Sequence, residues 1–392
     1  RSQDTTMENV VSLPIKTLPI RTLMGPGPSE INPRVLTALA QPAIGHLDPA
    51  FISLMDEVKE SLRYVFQTDN RLTFPVSGPG SAGMETCFTN IVEAGDKVVV
   101  ARNGVFGQRM EEMAIRLKAN VVTIDDEWGQ PVDPEKLEAA LKANPDTKVV
   151  AFVHAETSTG ALSDARTLAG IARRYDCLTI VDTVTSLVGS PLYVDEWGLD
   201  AVYSGAQKCL SSVAGIAPVT VGERALKKIS ERAEPAGTWF HDLSLIDSYW
   251  SEGSKRAYHH TAPVNSIFAL AESLRMVRQE GLEKSWERHR HISERLVEGL
   301  REMGLQMLVE DSSIRLGQLN VVKVPDGIDE AAIRARLLNE DNLEIGPGLG
   351  PLAGKVWRIG LMGHSCRVEN VERLLACLKR VLNEPSQSQA MS

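Results

Sequence analysis

Ala201-Val202-Tyr203-Ser204-Gly205-Ala206-Gln207-Lys208 places a lysine just beyond a short apolar run, and Leu178-Thr179-Ile180-Val181-Asp182-Thr183 ends a similar run on an aspartate 26 positions before that lysine. Runs of this length, rich in β-branched residues and interrupted by turn residues, read as buried strands. The same texture recurs upstream in Leu72-Thr73-Phe74-Pro75-Val76, Val98-Val99-Val100-Ala101, Val121-Val122-Thr123-Ile124 and Val149-Val150-Ala151-Phe152-Val153. Between these runs, residues 107–119, 134–143 and 165–175 carry apolar side chains at helical spacing. Strand and helix in alternation predict an α/β fold, with a mostly parallel sheet covered by helices on both faces. Ligands of such sheets gather at the carboxyl ends of the strands. Lys208 and Asp182 both belong to that edge.

Beyond about residue 265 the pattern shifts to long helical stretches, 266–279 and 282–303, followed by strands near 320–324 and 356–359. The expected organisation is an N-terminal extension (1–24), a large domain (25–265) and a smaller α+β C-terminal domain (266–392). A chain of 392 residues has ample material for that division. A net charge of -9 argues against nucleic acid as a partner, because phosphate backbones call for a basic face. No apolar run approaches the ~18 residues that span a bilayer. The five cysteines are odd in number and widely spaced, which fits reduced thiols and a cytoplasmic location. No metal site is expected: His289 and His291, two apart on a predicted helix, point to different faces. Lys227-Lys228 and Arg288-His289-Arg290 read as solvated helix faces.

An aspartate and a lysine at neighbouring strand ends suit one cofactor in particular. Pyridoxal 5'-phosphate (PLP) enzymes use a lysine to hold the aldehyde and an acid to pair with the pyridinium nitrogen. Ser77-Gly78-Pro79-Gly80-Ser81-Ala82-Gly83 adds a glycine-rich turn before a helical pattern near Met84, a place where backbone N–H groups converge on an anion. By itself that turn is equally an ordinary strand-to-helix connection. It has neither the lysine of a Walker A loop nor the G-x-G-x-x-G spacing.

From about Thr22 to Leu382 the chain resembles the alanine–glyoxylate aminotransferases, class V, fold-type I PLP enzymes that include serine–glyoxylate and serine–pyruvate aminotransferases. Eight motifs in order carry the resemblance: residues 25–28 (GPGP), 77–83 (SGPGSAG), 103–109 (NGVFGQR), 154–160 (HAETSTG), 181–182 (VD), 203–208 (YSGAQK), 258–263 (YHHTAP) and 357–360 (WRIG). It implies a large domain with a mostly parallel seven-stranded sheet sandwiched by helices, and a smaller C-terminal domain.

The resemblance further implies Lys208 and Asp182 as the catalytic pair. Gly80, Ser81, Ala82 and Gln207 would hold the cofactor phosphate, and Thr157 the ring oxygen. Phe106 would stack on the ring where the family often has a tryptophan, a smaller π-face. Tyr258 and Thr261 would reach the phosphate of the neighbouring subunit, which makes a homodimer with shared sites. Arg358 would bind the substrate carboxylate, with Gly27 and Thr157 beside it; a guanidinium fork suits a planar carboxylate independently of any family. The implied reaction passes an amino group from alanine or serine to glyoxylate, giving glycine and a 2-oxo acid. Serine–pyruvate or 3-hydroxykynurenine transamination are alternatives within the family. A cysteine desulfurase-like lyase lacks its cysteine in residues 343–357, and a non-catalytic subunit would not need Lys208, Asp182 and Arg358.

Overall fold

The computed structural model describes Ile15, residues 18–252 and residues 256–385. Most of the N-terminal extension and the last residues of the polar tail lie outside the described residues. Seven strands form the main sheet: β1 (Leu72–Ser77), β2 (Lys97–Arg102), β3 (Asn120–Asp125), β4 (Thr147–Val153), β5 (Leu178–Asp182), β6 (Ala201–Tyr203) and β7 (Ile216–Val221). Their spatial order is β1-β7-β6-β5-β4-β2-β3, and β7 alone runs antiparallel to its neighbours. Strands β4, β5 and β6 are buried along their length except at Lys148, as expected for strands covered on both faces.

Strand β7 is the element that the sequence pattern does not announce. Pro218 sits in its middle and argues against an interior strand, since proline cannot donate to a ladder. In the fold Pro218 faces Pro75 of β1, so the two residues without an N–H oppose one another. Beside β6 its carbonyl still accepts from Ser204 N–H at 2.8 Å.

A second, smaller sheet has β8 (Leu319–Lys323), β9 (Gly346–Pro347) and β10 (Val356–Gly360) in the order β8-β10-β9, all antiparallel. Two hydrophobic cores follow. The larger surrounds the main sheet; the smaller gathers Leu296, Val322, Trp357, Ile359 and Leu374. Met24 packs in the smaller core, and Thr22–Leu23 pairs in parallel with Leu343–Glu344. The helix Val264–Glu280 instead buries Ile267, Leu270 and Leu274 against the larger core. Fully burying each such side chain is worth about 1.5–3 kcal/mol.

The two basic clusters are more engaged than solvated faces would be. Lys228 reaches Ile91 O and Asp96, Arg288 binds Glu280 and the carbonyls of Gly363 and Cys366, and His289 is buried between Ser285 O and Gly363 N–H. Apolar stems and local carbonyl acceptors draw these side chains inward. His291 does point outward, toward Glu294.

Candidate active site

Asp182 is the last residue of β5 and lies opposite Tyr203, the last residue of β6, in parallel register. The chain then turns through Ser204–Gln207 to Lys208 before returning as β7. Strand β4 ends in the same register at Val153, opposite Asp182, and His154 N–H donates to Asp182 O at 3.0 Å. From there a two-residue hairpin, Ala155–Glu156 with Ala161–Leu162, carries Thr157 over the same edge. The parallel sheet thus converts three distant sequence segments into one cluster.

A cavity of about 150 Å³ opens among these strand ends, lined by Gly80, Ser81, Phe106, Thr157, Asp182, Gln207 and Lys208, together with Met84, Arg109, Val184 and Tyr203. Lys208 is half-buried, and its Nζ donates to Pro26 O. Burial and then the positive charge of Arg358 bring its pKa down to about 8, so a neutral, nucleophilic amine is accessible near neutral pH. A side chain at Gly27 would collide with Lys208, and φ of +120° there also favours glycine. The Pro26–Gly27 backbone therefore abuts the amine directly.

Asp182 has no cation within ion-pair distance among the described residues. Its Oδ1 accepts from Val184 N–H at 2.9 Å and its Oδ2 from Tyr203 Oη–H at 3.0 Å. Burial outweighs these bonds and pushes its pKa up to about 7. A carboxylate held this way gains from a cationic ligand, which restores its charge.

Arg358 lies mid-strand in β10, paired with Val321 and Gly346. Its Nε donates to Pro347 O at 2.7 Å and its Nη1 to Thr157 O at 3.2 Å. Arg358 forms no ion pair among the described residues, and burial lowers its pKa to about 10. A buried guanidinium without a counter-ion is a receptor for an anion.

The glycine-rich turn opens the helix Gly80–Ile91, whose N-terminus has no side-chain cap. Ala82 N–H is taken by Pro79 O at 2.8 Å, and Ala82 does not line the cavity, so Gly80 and Ser81 are the better-placed members of that trio. Gln207 leaves its Oε1 buried without a partner. Tyr258 and Thr261 are exposed and do not line this cavity; Tyr258 instead approaches His46, ring centroids 5.1 Å apart.

Several participants were not singled out in the sequence. Glu156 is fully buried and accepts from the N–H groups of Phe106 (2.9 Å), Gly107 (3.2 Å) and Ser158 (3.1 Å), and from Ser158 Oγ–H at 2.6 Å. It fixes the start of the helix Val105–Arg116, and with it Phe106, beside the residue whose carbonyl holds Arg358. An acid accepting at a helix N-terminus also suits the helix dipole. Arg109 lies over the Phe106 ring at 5.0 Å and donates to Ser81 Oγ at 3.3 Å. Nothing in the local sequence marks a buried acid or a capping arginine. The hydroxyl of Tyr203, two residues before the motif's glycine, was a missed signal only in that it ends a strand next to Asp182.

Among the described residues no helix is long and apolar enough to cross a membrane, and no cluster of histidine, cysteine or acidic residues could hold a metal. All five cysteines are free thiols.

Residues 25–374 match the family model for aminotransferase class-V. The chain is 41% identical to an (S)-ureidoglycine–glyoxylate transaminase of Bacillus subtilis, over 93% of this chain and 91% of the relative. It is 40% identical to an alanine–glyoxylate aminotransferase of Oryctolagus cuniculus, over 95% of each. Its fold superposes on the crystal structure of an alanine–glyoxylate aminotransferase from Nostoc sp. with a TM-score of 0.92 at 46% identity, covering 95% of this chain and 98% of the other. With a lysine amine, a buried acid and an unneutralised arginine gathered at the carboxyl edge of its sheet, the chain belongs to the class-V aminotransferase family.

Proposed function

We propose that the protein is a PLP-dependent aminotransferase that passes the amino group of a small amino acid, alanine or serine, to glyoxylate, yielding glycine and a 2-oxo acid. The observation that carries this reading is Arg358: a buried guanidinium bound to two carbonyls and to no carboxylate, in electrostatic reach of a lysine whose pKa it lowers. An α-carboxylate there would neutralise the arginine while presenting the amino acid's Cα to Lys208.

The cofactor fits the residues present. The uncapped helix at Gly80 and the buried carboxylate of Asp182 are each left incomplete by the polypeptide. When bound, PLP supplies an aldehyde that accepts amines and a pyridinium ring that withdraws electrons from Cα. Lys208 would hold the aldehyde and then, displaced by the substrate amine, act as the base that moves a proton to and from Cα. Asp182 would pair with the ring nitrogen and keep it protonated. Gly80, Ser81 and Gln207 would hold the phosphate, Phe106 the ring face, and Thr157 the ring oxygen. Val184 and Tyr203 would position Asp182. The Pro26–Gly27 backbone beside the amine would confine the substrate to a small one.

In this reading the protein is a cytoplasmic homodimer, with Tyr258 and Thr261 completing the second copy's site. Their exposure, and their not lining the cavity of their own chain, support that assignment. The division into a large domain (25–265) and a small one (266–392) has the helix Val264–Glu280 as its bridge. The relatives named for glyoxylate agree on the acceptor and differ in the donor, so the test is a donor screen. Alanine, serine, (S)-ureidoglycine and 3-hydroxykynurenine are each assayed against glyoxylate and pyruvate. Alanine with glyoxylate should give the highest kcat/KM; a clear preference for pyruvate would overturn the assignment.

A further inference from the structure

His259 and His260 follow Tyr258 directly and connect three segments that are far apart in sequence. Ser77 Oγ lies 2.8 Å from His260 Nε2, the Nδ1 atoms of the two histidines are 2.7 Å apart, and His259 Nε2 lies 3.1 Å from Trp239 O. The terminal carbonyl dictates the proton positions along this chain. A carbonyl only accepts, so His259 carries its proton on Nε2 and its Nδ1 is a lone pair. His260 must then donate from Nδ1, which leaves its Nε2 as an acceptor for the Ser77 hydroxyl. Burial and the adjacent imidazoles bring the pKa of His260 down to about 4, so that ring is neutral at pH 7, and opposite a neutral His259 it keeps this arrangement.

Packing fixes the rings as well. His259 stacks on Trp239 with centroids 4.2 Å apart and planes at 22°, and Phe240 and Tyr249 meet the His260 ring edge-on. Ser77 ends β1 and is the first residue of the glycine-rich turn that leads to Gly80. The far end of the chain belongs to the segment that presents Tyr258 and Thr261 outward.

We propose that Ser77, His260 and His259 are positioning residues, a one-directional hydrogen-bonded strut that fixes the outward segment 258–261 to the phosphate turn. The turn of one site and the residues directed to the other site are then parts of one rigid unit, and both sites' phosphate contacts depend on the same strut. This rests on the PLP dimer proposed above. Ser77 touches neither substrate nor reacting atoms in this scheme; it acts by holding the turn.

The test compares pyridoxal 5'-phosphate with pyridoxal, which forms the same link to Lys208 without a phosphate. For Ser77→Ala in the full-length protein, loss of one neutral hydrogen bond should weaken pyridoxal 5'-phosphate binding about threefold to tenfold and leave pyridoxal affinity unchanged. Ser77→Thr, which retains the hydroxyl, should restore it. His260→Phe, which keeps the ring contacts and removes both bonds, should reproduce the alanine result. In ¹⁵N-histidine NMR of the unaltered protein, His260 should be protonated on Nδ1 and His259 on Nε2. Equal weakening of both ligands, a lowered thermal midpoint with unchanged affinities, or reversed tautomers would each refute the strut. If the unaltered protein forms no adduct with either aldehyde, the cofactor reading fails, and the positioning role falls with it.

Discussion

Arg358→Met removes the guanidinium but keeps an apolar stem in a buried strand. Of the five N–H groups of Arg358, Nε and one on Nη1 are committed to Pro347 O and Thr157 O. The second N–H of Nη1 and both of Nη2 remain, enough for a bidentate carboxylate. Two charge-assisted hydrogen bonds at about 1.5–3 kcal/mol each make about 3–6 kcal/mol, or about 10²- to 10⁴-fold in kcat/KM. Steady-state transamination from alanine to glyoxylate measures the loss, and the visible absorbance of bound cofactor serves as the control. That absorbance should persist, because Arg358 does not hold the cofactor in this scheme. A second signature follows from charge: with the neighbouring cation gone, the Lys208 amine should titrate above about 8. Less than about a tenfold loss in kcat/KM, or a loss of cofactor in place of activity, would refute the assignment of Arg358 to the carboxylate.

Lys208→Ala should abolish the visible band of the lysine-linked cofactor, and borohydride should then fix no label; a reducible band in the variant would contradict the role. In the unaltered protein the rate of cofactor capture should rise with pH and level off above about 8, well below the 10.5 of a free lysine. Asp182 holds its proton more tightly folded than unfolded, so the cofactor-free protein should lose stability as pH rises from 3.8 to about 7, on the order of 4 kcal/mol from this group. Urea unfolding of Asp182→Asn should lack that slope, and parallel curves would speak against it. Mixing inactive Lys208→Ala and Tyr258→Ala chains should restore activity, since each mixed dimer regains one site with both residues intact. No recovery would remove Tyr258 from the second copy's site.

The strand ends were legible in the sequence because parallel strands buried on both faces advertise themselves as continuous apolar runs. Asp182 and Lys208 terminate two such runs, and register did the rest. Strand β7 was hidden by Pro218, whose missing N–H faces Ser204 just past the end of β6, so that no donor within the β6 pairing is lost. Glu156 was hidden for another reason. A buried acid satisfied by four local donors looks, in sequence, like any loop acid, and only the approach of the helix Val105–Arg116 distinguishes it. His259 and His260 pack against aromatic rings, and their ring nitrogens also make a directed chain that the sequence does not announce. The roles proposed for Tyr258 and Thr261 come from family resemblance alone, because both are exposed and neither lines the cavity at Lys208.

The turn around Lys208 also bears on repeated turnover. Ser204 N–H donates to Pro218 O, Ala206 N–H to Ile216 O, Ser212 N–H to Ala206 O, and Ser29 N–H to Gln207 O. The main chain on both sides of the lysine is thus sewn to its antiparallel return and to the N-terminal segment. In the role proposed for Lys208, an amine that leaves its partner and recaptures it in every cycle then searches only through its own side-chain torsions. Tethering of this kind gives the amine an effective concentration far above any attainable in free solution. In kinetic terms the fold makes recapture an intramolecular event, so that loss of the departing group to solvent competes with a lysine that has scarcely moved.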